Sequence, residues 1–294
     1  MTTELAEYFA ESWAGYSSFV NPQITELPAS AYAGTKARLV IEAQNSSSFV
    51  TLSPRMSPDL VADDVEMISL ARNVLGPELS AVVPEVLFFG WYDGRSVAAF
   101  ELLNDLPTNK VARKLQKTRI GNLVTTWVDQ VGTRTLAPRR PNEFESAIER
   151  PLKWLIANED MSAEVRKASA DALHYFENDP SKAKTVFMHG DLWWGNIMLP
   201  PSALDSPNKF YLIDWGGAER TGYPVYDLVR VLDANGRRAT QTAIDGHLAK
   251  LDMDREQGLA HVLSAAGSFG VDGDQLTPLR ARELAQKCWE TYNL

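Results

Sequence analysis

Two short runs of residues constrain the fold of this chain more than any other feature. The first run is Met188–Met198, which reads MHGDLWWGNIM, and the second is Phe210–Gly216, which reads FYLIDWG. Each run places an acidic residue next to apolar residues that are typical of β-strands. An unpaired carboxylate at the end of a buried element is costly, which favours a functional reason for its presence. The fold must therefore hold both runs at the ends of buried strands.

Three polar side chains in these runs fit the chemistry of phosphoryl transfer. Asn196 and Asp214 offer the hard oxygen donors that Mg²⁺ prefers, and two such ligands leave positions for phosphate and water. Asp191 is then available to accept the proton of an acceptor hydroxyl. In phosphoryl transfer the protein mainly positions groups and neutralises charge, with one Asp as base and an Asn and a second Asp on magnesium. The spacing therefore predicts a kinase-type site.

His-x-Asp by itself is not specific to kinases. A buried His bonded to a carboxylate is a common structural pair, and the same motif occurs among metallohydrolase ligands. The full set of residues at this spacing favours a kinase-type site, and it consists of His189, Asp191, Asn196, Asp214 and Asp227. A binuclear hydrolase needs more ligands than a chain with four His readily supplies.

The two runs resemble the catalytic and metal-binding segments of the aminoglycoside phosphotransferase and choline kinase group. In that group the motif is His-Gly-Asp, four residues, Asn, and later Ile-Asp followed by Trp, Phe or Pro. The resemblance implies an α+β, two-lobed protein-kinase-like fold, with a small lobe of antiparallel sheet plus helix and a large, mainly helical lobe. The Leu-Trp part of the loop is also similar to that of the fructosamine kinase branch.

The resemblance implies a role for each residue of the motif. Asp191 corresponds to the catalytic base, Asn196 and Asp214 to the magnesium ligands, and His189 to a residue that braces the loop. Asp227 corresponds to a carboxylate that holds the catalytic loop through backbone hydrogen bonds. An Asp that simply favours the N-terminus of a helix is the alternative for Asp227.

Trp193 and Trp194 stand where many members of the group have His-Pro. Large aromatic rings usually fill core volume, which is one interpretation of this pair. The other is that one ring forms a wall of the acceptor site and stacks on a sugar or an aromatic group.

Apolar periodicity predicts the elements of both lobes. In the small lobe it predicts a helix over 3–16, strands over 38–43 and 49–52, a helix over 58–75, and strands over 86–89 and 96–100. Asp93-Gly94 between the last two strands is typical of a type I′ turn. In the large lobe it predicts helices over 115–132, 143–158, 162–178, 226–232, 240–251, 255–266 and 277–292, with an interruption at Pro151.

This order predicts a small nucleotide-binding lobe over 1–102 and a large lobe with the catalytic loop and acceptor site over 103–294. The backbone of the connecting segment, at Glu101 and Leu103, is expected to contact the adenine ring. Gly34 and Thr35 lie where the family has its phosphate-covering loop, although a surface turn before a strand is an equal alternative there.

The chain departs from the family at the lysine that contacts the α and β phosphates and pairs with a helix Glu. By register with the family, this position falls near Thr51. Lys36 or Arg55 could compensate, and we favour Lys36. The helix carboxylate would then be Asp64 or Glu66.

Composition excludes some partners. A net charge of −9 argues against nucleic acid, whose phosphates need clustered Lys and Arg. Cys288 is the only cysteine, which favours a reducing compartment. No apolar run approaches the roughly eighteen residues that span a bilayer, and the N-terminus lacks the pattern of a secretory signal. We therefore expect a cytoplasmic protein without a membrane partner, whereas its oligomeric state is not indicated.

Together these features predict a kinase that uses ATP and Mg²⁺ to phosphorylate a hydroxyl of a small molecule, such as a sugar, an amino sugar, an aminoglycoside-like compound or an amino alcohol. The missing lysine motivates an alternative, a catalytically weakened pseudokinase that binds nucleotide and acts as a regulator or scaffold. A protein kinase is disfavoured because the loop has His-Gly-Asp instead of His-Arg-Asp. The acceptor residues stay open, with Asp129, Glu143 and Glu145 as acidic candidates.

Overall fold

The computed structural model describes residues 2–27, 36–201, 209–232, 237–271 and 278–293. The chain divides into two compact units. The first comprises Met1–Gln116 and Gly195–Gly216, and the second comprises Lys117–Trp194 and Gly217–Leu294. Because residues 103–116 and 195–216 group with the first unit, these units are not the same division as the expected lobes, whose boundary stays a prediction.

The first unit contains a five-stranded antiparallel sheet. Its strands are β1 (Gln23–Glu26), β2 (Ala37–Glu42), β3 (Ser47–Leu52), β4 (Val86–Tyr92) and β5 (Arg95–Glu101), in the order β1-β2-β3-β5-β4. Both predicted hairpins are confirmed, as β2 pairs with β3 and β4 with β5. Asp93 and Gly94 have φ values of 50° and 69°, the positive values that a type I′ turn needs at both central residues.

The first helix, α1 (Thr2–Ser12), covers one face of this sheet. Leu5 and Phe9 are spaced by four residues and therefore lie on the same side of the helix, where both are fully buried. They pack in one apolar cluster with sheet residues that include Leu39, Ile41 and Val50. Burying a side chain of this size stabilises the fold by about 1.5–3 kcal/mol, so the cluster holds α1 on the sheet.

The N-terminus of the second helix, α2 (Leu60–Leu79), is capped by hydroxyl groups of two serines in or next to the sheet. The Ser53 hydroxyl accepts the N–H of Val61 at 2.8 Å, and the Ser96 hydroxyl accepts the N–H of Ala62 at 3.1 Å. These hydroxyls satisfy N–H groups that have no partner within the helix. The first turn of α2 is thereby fixed against β3 and β5, which positions Asp64 one turn later.

The remaining elements are α3 (Lys110–Thr135), β6 (Ala137–Pro138), α4 (Arg150–Ala157), α5 (Ala163–Asn178), β7 (Lys184–Met188), β8 (Ile197–Met198), β9 (Tyr211–Leu212), β10 (Glu219–Gly222), α6 (Tyr226–Leu232), α7 (Arg237–Leu251), α8 (Arg255–Val271) and α9 (Pro278–Tyr292). The predicted interruption at Pro151 takes the form of a π-helical turn over Glu145–Glu149, after which α4 begins. Proline lacks the N–H that would continue the helical ladder, which accounts for the change of pitch.

The second unit is mainly helical. Helix α8 packs on α4, α5 and α9, and small residues allow the closest approach. A Cβ on Gly267 would lie 2.4 Å from the carbonyl oxygen of Pro151, so any larger residue would push α8 away from α4. Among the described residues, no helix combines the length and apolar character needed to cross a bilayer.

A small antiparallel sheet in the second unit, in the order β10-β7-β6, presents the catalytic motif. The last four residues of its central strand β7 are buried, and the strand ends one residue before His189. The expectation that the first run lies at the end of a buried strand is confirmed.

Candidate functional site

The loop that follows β7 is held by a buried carboxylate. Asp227, in the first turn of α6, accepts the N–H of His189 at 2.6 Å on Oδ2 and the N–H of Gly190 at 3.1 Å on Oδ1. These are the backbone hydrogen bonds that the resemblance implies for this position. Burial raises the pKa of Asp227 to about 6, although both hydrogen bonds favour its charged form.

His189 supports the same loop from within the core. Its side chain is fully buried, and its Nδ1 accepts the backbone N–H of Asp191 at 3.3 Å. An imidazole nitrogen that accepts a hydrogen bond carries no proton, so the proton of a neutral ring is on Nε2. This contact fits the bracing role proposed for His189.

Asp191 forms an ion pair that the sequence did not reveal. Nη2 of Arg230 donates to Oδ1 of Asp191 at 2.8 Å. Arg230 lies three residues after Asp227 on α6, and residues three apart share one side of a helix. The three-residue spacing from Asp227 was therefore the only sequence feature that could have indicated Arg230, because Arg230 lies in neither motif run.

The two tryptophans have different surroundings. Trp194 is buried, its Nε1 donates to the carbonyl of Val231 at 2.9 Å, and Nζ of Lys117 lies 4.7 Å from the centre of its ring. Trp193 is 48% exposed. Trp194 therefore fits the packing interpretation, and Trp193 is the ring that an acceptor could reach.

The proposed metal ligands lie in the first unit, at one end of the short ladder formed by β8 and β9. Ile197 pairs with Leu212, and the N–H of Ile213 donates to the backbone carbonyl of Asn196 at 3.0 Å. In this register Asn196 lies opposite Ile213, the residue before Asp214. The register thus brings the two ligand positions to the same end of the hairpin.

The chemistry of these two residues fits magnesium. They supply one carboxylate and one amide oxygen, and Mg²⁺ is usually held by one or two such groups, with phosphate oxygens and waters in the other positions. Asp214 has a φ of 64°, and its side chain is half-exposed. Trp215, which follows it, is buried, and its Nε1 donates to the carbonyl of Leu212 at 2.7 Å, which fixes the turn.

Lys36, immediately before β2, links α2 to the second motif. Its Nζ forms an ion pair with Oδ2 of Asp64 and lies 3.9 Å from Oδ1 of Asp214. Burial raises the pKa of Asp64, and Lys36 counteracts this effect by favouring the charged carboxylate. A cation is thereby held beside a proposed metal ligand by a helix carboxylate.

The other basic candidate lies elsewhere. Arg55 is exposed and donates to Oδ2 of Asp93 at 2.6 Å, in the turn between β4 and β5. Glu66, the second candidate for the helix carboxylate, is also exposed. Thr51 lies within β3, opposite Arg38 and Ala98.

The remaining nucleotide positions are only partly described. Glu101 ends β5 and is exposed, and Leu103 is half-buried. The next residue, Asn104, exchanges two backbone hydrogen bonds with Leu199, of 2.9 and 2.8 Å, which fixes this segment beside the end of β8. Gly34 and Thr35 lie outside the described residues, so their expected contact with phosphate stays a prediction.

Of the acidic acceptor candidates, Asp129 has structural partners. Its carboxylate contacts Nδ1 of His247 at 2.6 Å and also forms an ion pair with Lys250, so it joins α3 to α7. Glu143 and Glu145 lie in the turns before α4. None of the three is singled out as an acceptor contact by its surroundings.

Comparison with known proteins places the chain in a family and among solved structures. A family model described as the phosphotransferase enzyme family matches residues 33–261. No curated protein sequence matches the chain. The family match covers both motif runs and most of both units.

Solved structures share the whole fold at low sequence identity. A putative aminoglycoside phosphotransferase from Ralstonia eutropha JMP134 is 16% identical, with a TM-score of 0.60 over 100% of this chain and 98% of that one. A thermostable mutant of the aminoglycoside phosphotransferase APH(4)-Ia, in complex with ADP and hygromycin B, is 15% identical, with a TM-score of 0.59 over 100% and 98%.

A putative fructosamine-3-kinase from Haemophilus somnus 129PT is 15% identical, with a TM-score of 0.55 over 98% of this chain and 96% of that one. At these identities the likeness concerns the fold. The expected α+β, two-lobed protein-kinase-like fold is thus confirmed, together with the resemblance to aminoglycoside phosphotransferases and fructosamine kinases.

Proposed function

The chain belongs to the phosphotransferase enzyme family, and from this premise we propose that it is an active kinase that transfers the γ-phosphate of ATP to a hydroxyl of a small molecule. The observation that carries the proposal is the placement of Lys36, which pairs with Asp64 and lies 3.9 Å from Asp214. This arrangement supplies a cation and a helix carboxylate despite the threonine at position 51. It favours catalysis over the pseudokinase alternative.

In the proposed mechanism Asp191 accepts the proton of the acceptor hydroxyl as the hydroxyl oxygen bonds to the γ-phosphorus and the bond from that phosphorus to the bridging oxygen breaks, which releases ADP. Asp227 and His189 hold the backbone of its loop, so the carboxylate needs little rearrangement before reaction. Lys36 contacts the phosphates of the nucleotide, and Asp64 orients its ammonium group. Positioning and charge stabilisation of this kind account for most of the catalysis in phosphoryl transfer.

Asn196 and Asp214 would hold Mg²⁺ against the nucleotide phosphates. The bound ion would neutralise the negative charge that the phosphate oxygens carry during transfer. The half-exposed side chain of Asp214 supports this role, because a ligand that must meet both water and phosphate has to be accessible.

We propose a small hydroxyl compound as the acceptor, within the range of sugars, amino sugars, aminoglycoside-like compounds and amino alcohols. The solved relatives that carry ADP with hygromycin B, or are described as a fructosamine kinase, support nucleotide binding and an acceptor of this size. Trp193 is the candidate for a wall of the acceptor site because of its exposed ring.

We also propose that the protein works in the cytoplasm on small molecules alone. Cys288 is buried and is the only cysteine of the sequence, so no disulfide can form within the chain, which suits a reducing compartment. The net charge of −9 supports a partner other than nucleic acid.

The test is a panel of hydroxyl compounds in an ADP-release assay with ATP and Mg²⁺. For the compound that reacts fastest, Asp191→Asn should lower kcat by about 100-fold or more, as loss of a catalytic base does. ATP binding by this variant should stay within about twofold of the wild type, because positioning and metal binding remain. Asp171→Asn, on the exposed face of α5, is the matched control and should react like the wild type.

Two outcomes would overturn the proposal. Turnover by Asp191→Asn at the wild-type rate would remove Asp191 as the base. ATP binding that does not depend on metal, together with no turnover of any compound, would favour the pseudokinase alternative. The variant Asp214→Asn shows whether ATP binding depends on the metal, because loss of a metal ligand should weaken ATP binding in the presence of Mg²⁺.

A further inference from the structure

We propose that Arg230 is a positioning residue for Asp191, one that fixes the carboxylate through Oδ1 and keeps it charged for proton transfer. This inference rests on the proposed function, in which Asp191 is the base. It adds to the site a residue that neither motif run contains.

The geometry of the pair is that of a strong hydrogen bond. The distance of 2.8 Å between Nη2 of Arg230 and Oδ1 of Asp191 is typical of a charge-assisted contact. The side chain of Arg230 is 21% exposed and that of Asp191 is 44% exposed. The guanidinium is therefore mostly shielded from solvent, whereas the carboxylate is open enough to receive a substrate.

An aspartate can accept several hydrogen bonds, because its two oxygens offer about four lone-pair sites. The Arg230 donor on Oδ1 restricts the plane and rotamer of the carboxylate and uses only one of these sites. An unfixed side chain would have to lose rotamer freedom during the reaction, and that loss would raise the barrier.

Three residues of helix α6 form hydrogen bonds with the catalytic loop. Asp227 accepts two backbone N–H groups of the loop, Arg230 binds the side chain of Asp191, and the carbonyl of Val231 accepts the indole N–H of Trp194. A helix presents such contacts with fixed spacing. Arg230 is thus placed by the same short helix that fixes the backbone around the base.

Charge adds a second effect. Among the described residues, the ionisable groups that interact with Arg230 are Asp191 from the loop, Tyr226 and Asp227 from its own helix, and Cys288 from α9. A cation this close favours the charged form of a carboxylate and typically lowers its pKa by about 1–3 units. Asp191 must be charged to accept a proton, and Arg230 also lowers the pKa of the neighbouring Asp227, so loss of Arg230 should move the acidic limb of the pH–rate profile upward.

The test compares Arg230→Met, Arg230→Lys and the control Arg282→Met. Arg282 is a matched arginine, because it is 23% exposed and forms an ion pair with Asp160 away from the catalytic loop. We expect Arg230→Met to lower kcat by about 10–100-fold with KM for ATP within about twofold, as expected when orientation alone is lost. Arg230→Lys should recover part of kcat, and Arg282→Met should leave kcat and the profile unchanged.

In the same series, Arg230→Met should shift the acidic limb of kcat/KM upward by about one pH unit. The pKa of the Asp191 carboxyl can also be measured without an acceptor, by ¹³C NMR titration. This pKa should be higher in Arg230→Met than in the wild type. An unchanged pKa, or an unchanged kcat, would overturn the proposal. So would equal losses in Arg230→Met and Arg282→Met, because these would indicate a purely structural ion pair.

Failure of this proposal is distinguishable from failure of the proposed function. If Asp191→Asn is inactive while Arg230→Met has wild-type kcat and pH profile, only the role of Arg230 is wrong. If Asp191→Asn turns over normally, the assignment of the base is wrong and the role of Arg230 fails with it.

Discussion

Gly190 and Gly217 approach so closely that a Cβ on Gly190 would lie 2.0 Å from the carbonyl oxygen of Gly217. Gly190 also has a φ of 81°, in the left-handed region that costs a residue with a side chain about 1–2 kcal/mol. Space and backbone conformation therefore both require glycine between His189 and Asp191. No residue that is larger can stand there without displacement of the loop.

Gly190→Ala should reduce both stability and turnover. We expect a loss of about 2–4 kcal/mol in the free energy of unfolding from the clash and the strained φ together, measured by urea denaturation. The rate should fall because the loop must move. Gly246→Ala is the control, since nothing lies within 4 Å of the added Cβ and alanine favours a helix by about 1 kcal/mol. Equal stability of the two variants would contradict the close approach.

Lys36→Met should impair catalysis if Lys36 replaces the missing strand lysine. We expect kcat to fall by about 100-fold or more, as it does when one preorganised donor to a developing charge is removed. Arg55→Met, which removes an exposed cation paired with Asp93, should have no effect on kcat. In a double-mutant cycle with Asp64→Asn, the two losses should not add, because both residues act through one ion pair. Additive losses would show that Asp64 does not orient Lys36.

Asp227 should make stability depend on pH. Its pKa is raised from 3.8 to about 6 in the folded protein, so between these values the folded state binds more protons than the unfolded state. The contribution of Asp227 is then fully present below about pH 4 and is lost as pH rises through 6, by about 3 kcal/mol in all. The free energy of unfolding of the wild type, relative to Asp227→Asn, should fall across this window in urea titrations. A difference that is constant from pH 4 to 7 would contradict the raised pKa.

The two tryptophans should respond oppositely to truncation. Trp194→Ala should destabilise the protein by about 3–5 kcal/mol, because a buried ring and its hydrogen bond to Val231 are lost. Trp193→Ala should change the free energy of unfolding by less than about 0.5 kcal/mol, since the ring is half-exposed. If Trp193 is an acceptor wall, this variant should raise KM for the acceptor. An unchanged KM would remove it from the acceptor site.

Local signals are the reason that most elements could be predicted from the sequence. Asp93-Gly94 defines a turn through its own backbone preference, and Ser162 begins α5 by accepting the N–H of Val165 at 3.3 Å. Pro151 changes the helix pitch where its missing N–H falls. Each of these effects acts within a few residues, so the sequence contains all the information needed.

Other parts of the structure depend on residues that are distant in the chain. Arg230 and Asp191 are separated by 39 positions, and no spacing rule connects a helix side chain with a loop that far away. Strands β6 and β10 were also not predicted. They are too short for a periodic pattern, and the register between β10 and β7 shifts between Glu219 and Gly222. Such features arise from packing of the second unit, which periodicity does not describe.

The hairpin of β8 and β9 has different contacts at its two ends. Asn196 and Asp214 occupy its open end, whereas the connection between the strands leaves from the opposite end, where Pro200 and Pro201 accept hydrogen bonds from Asn104. This two-residue ladder therefore separates the ligand positions from the anchor that ties the hairpin to the segment after β5, so each end can change in sequence without direct contact with the other.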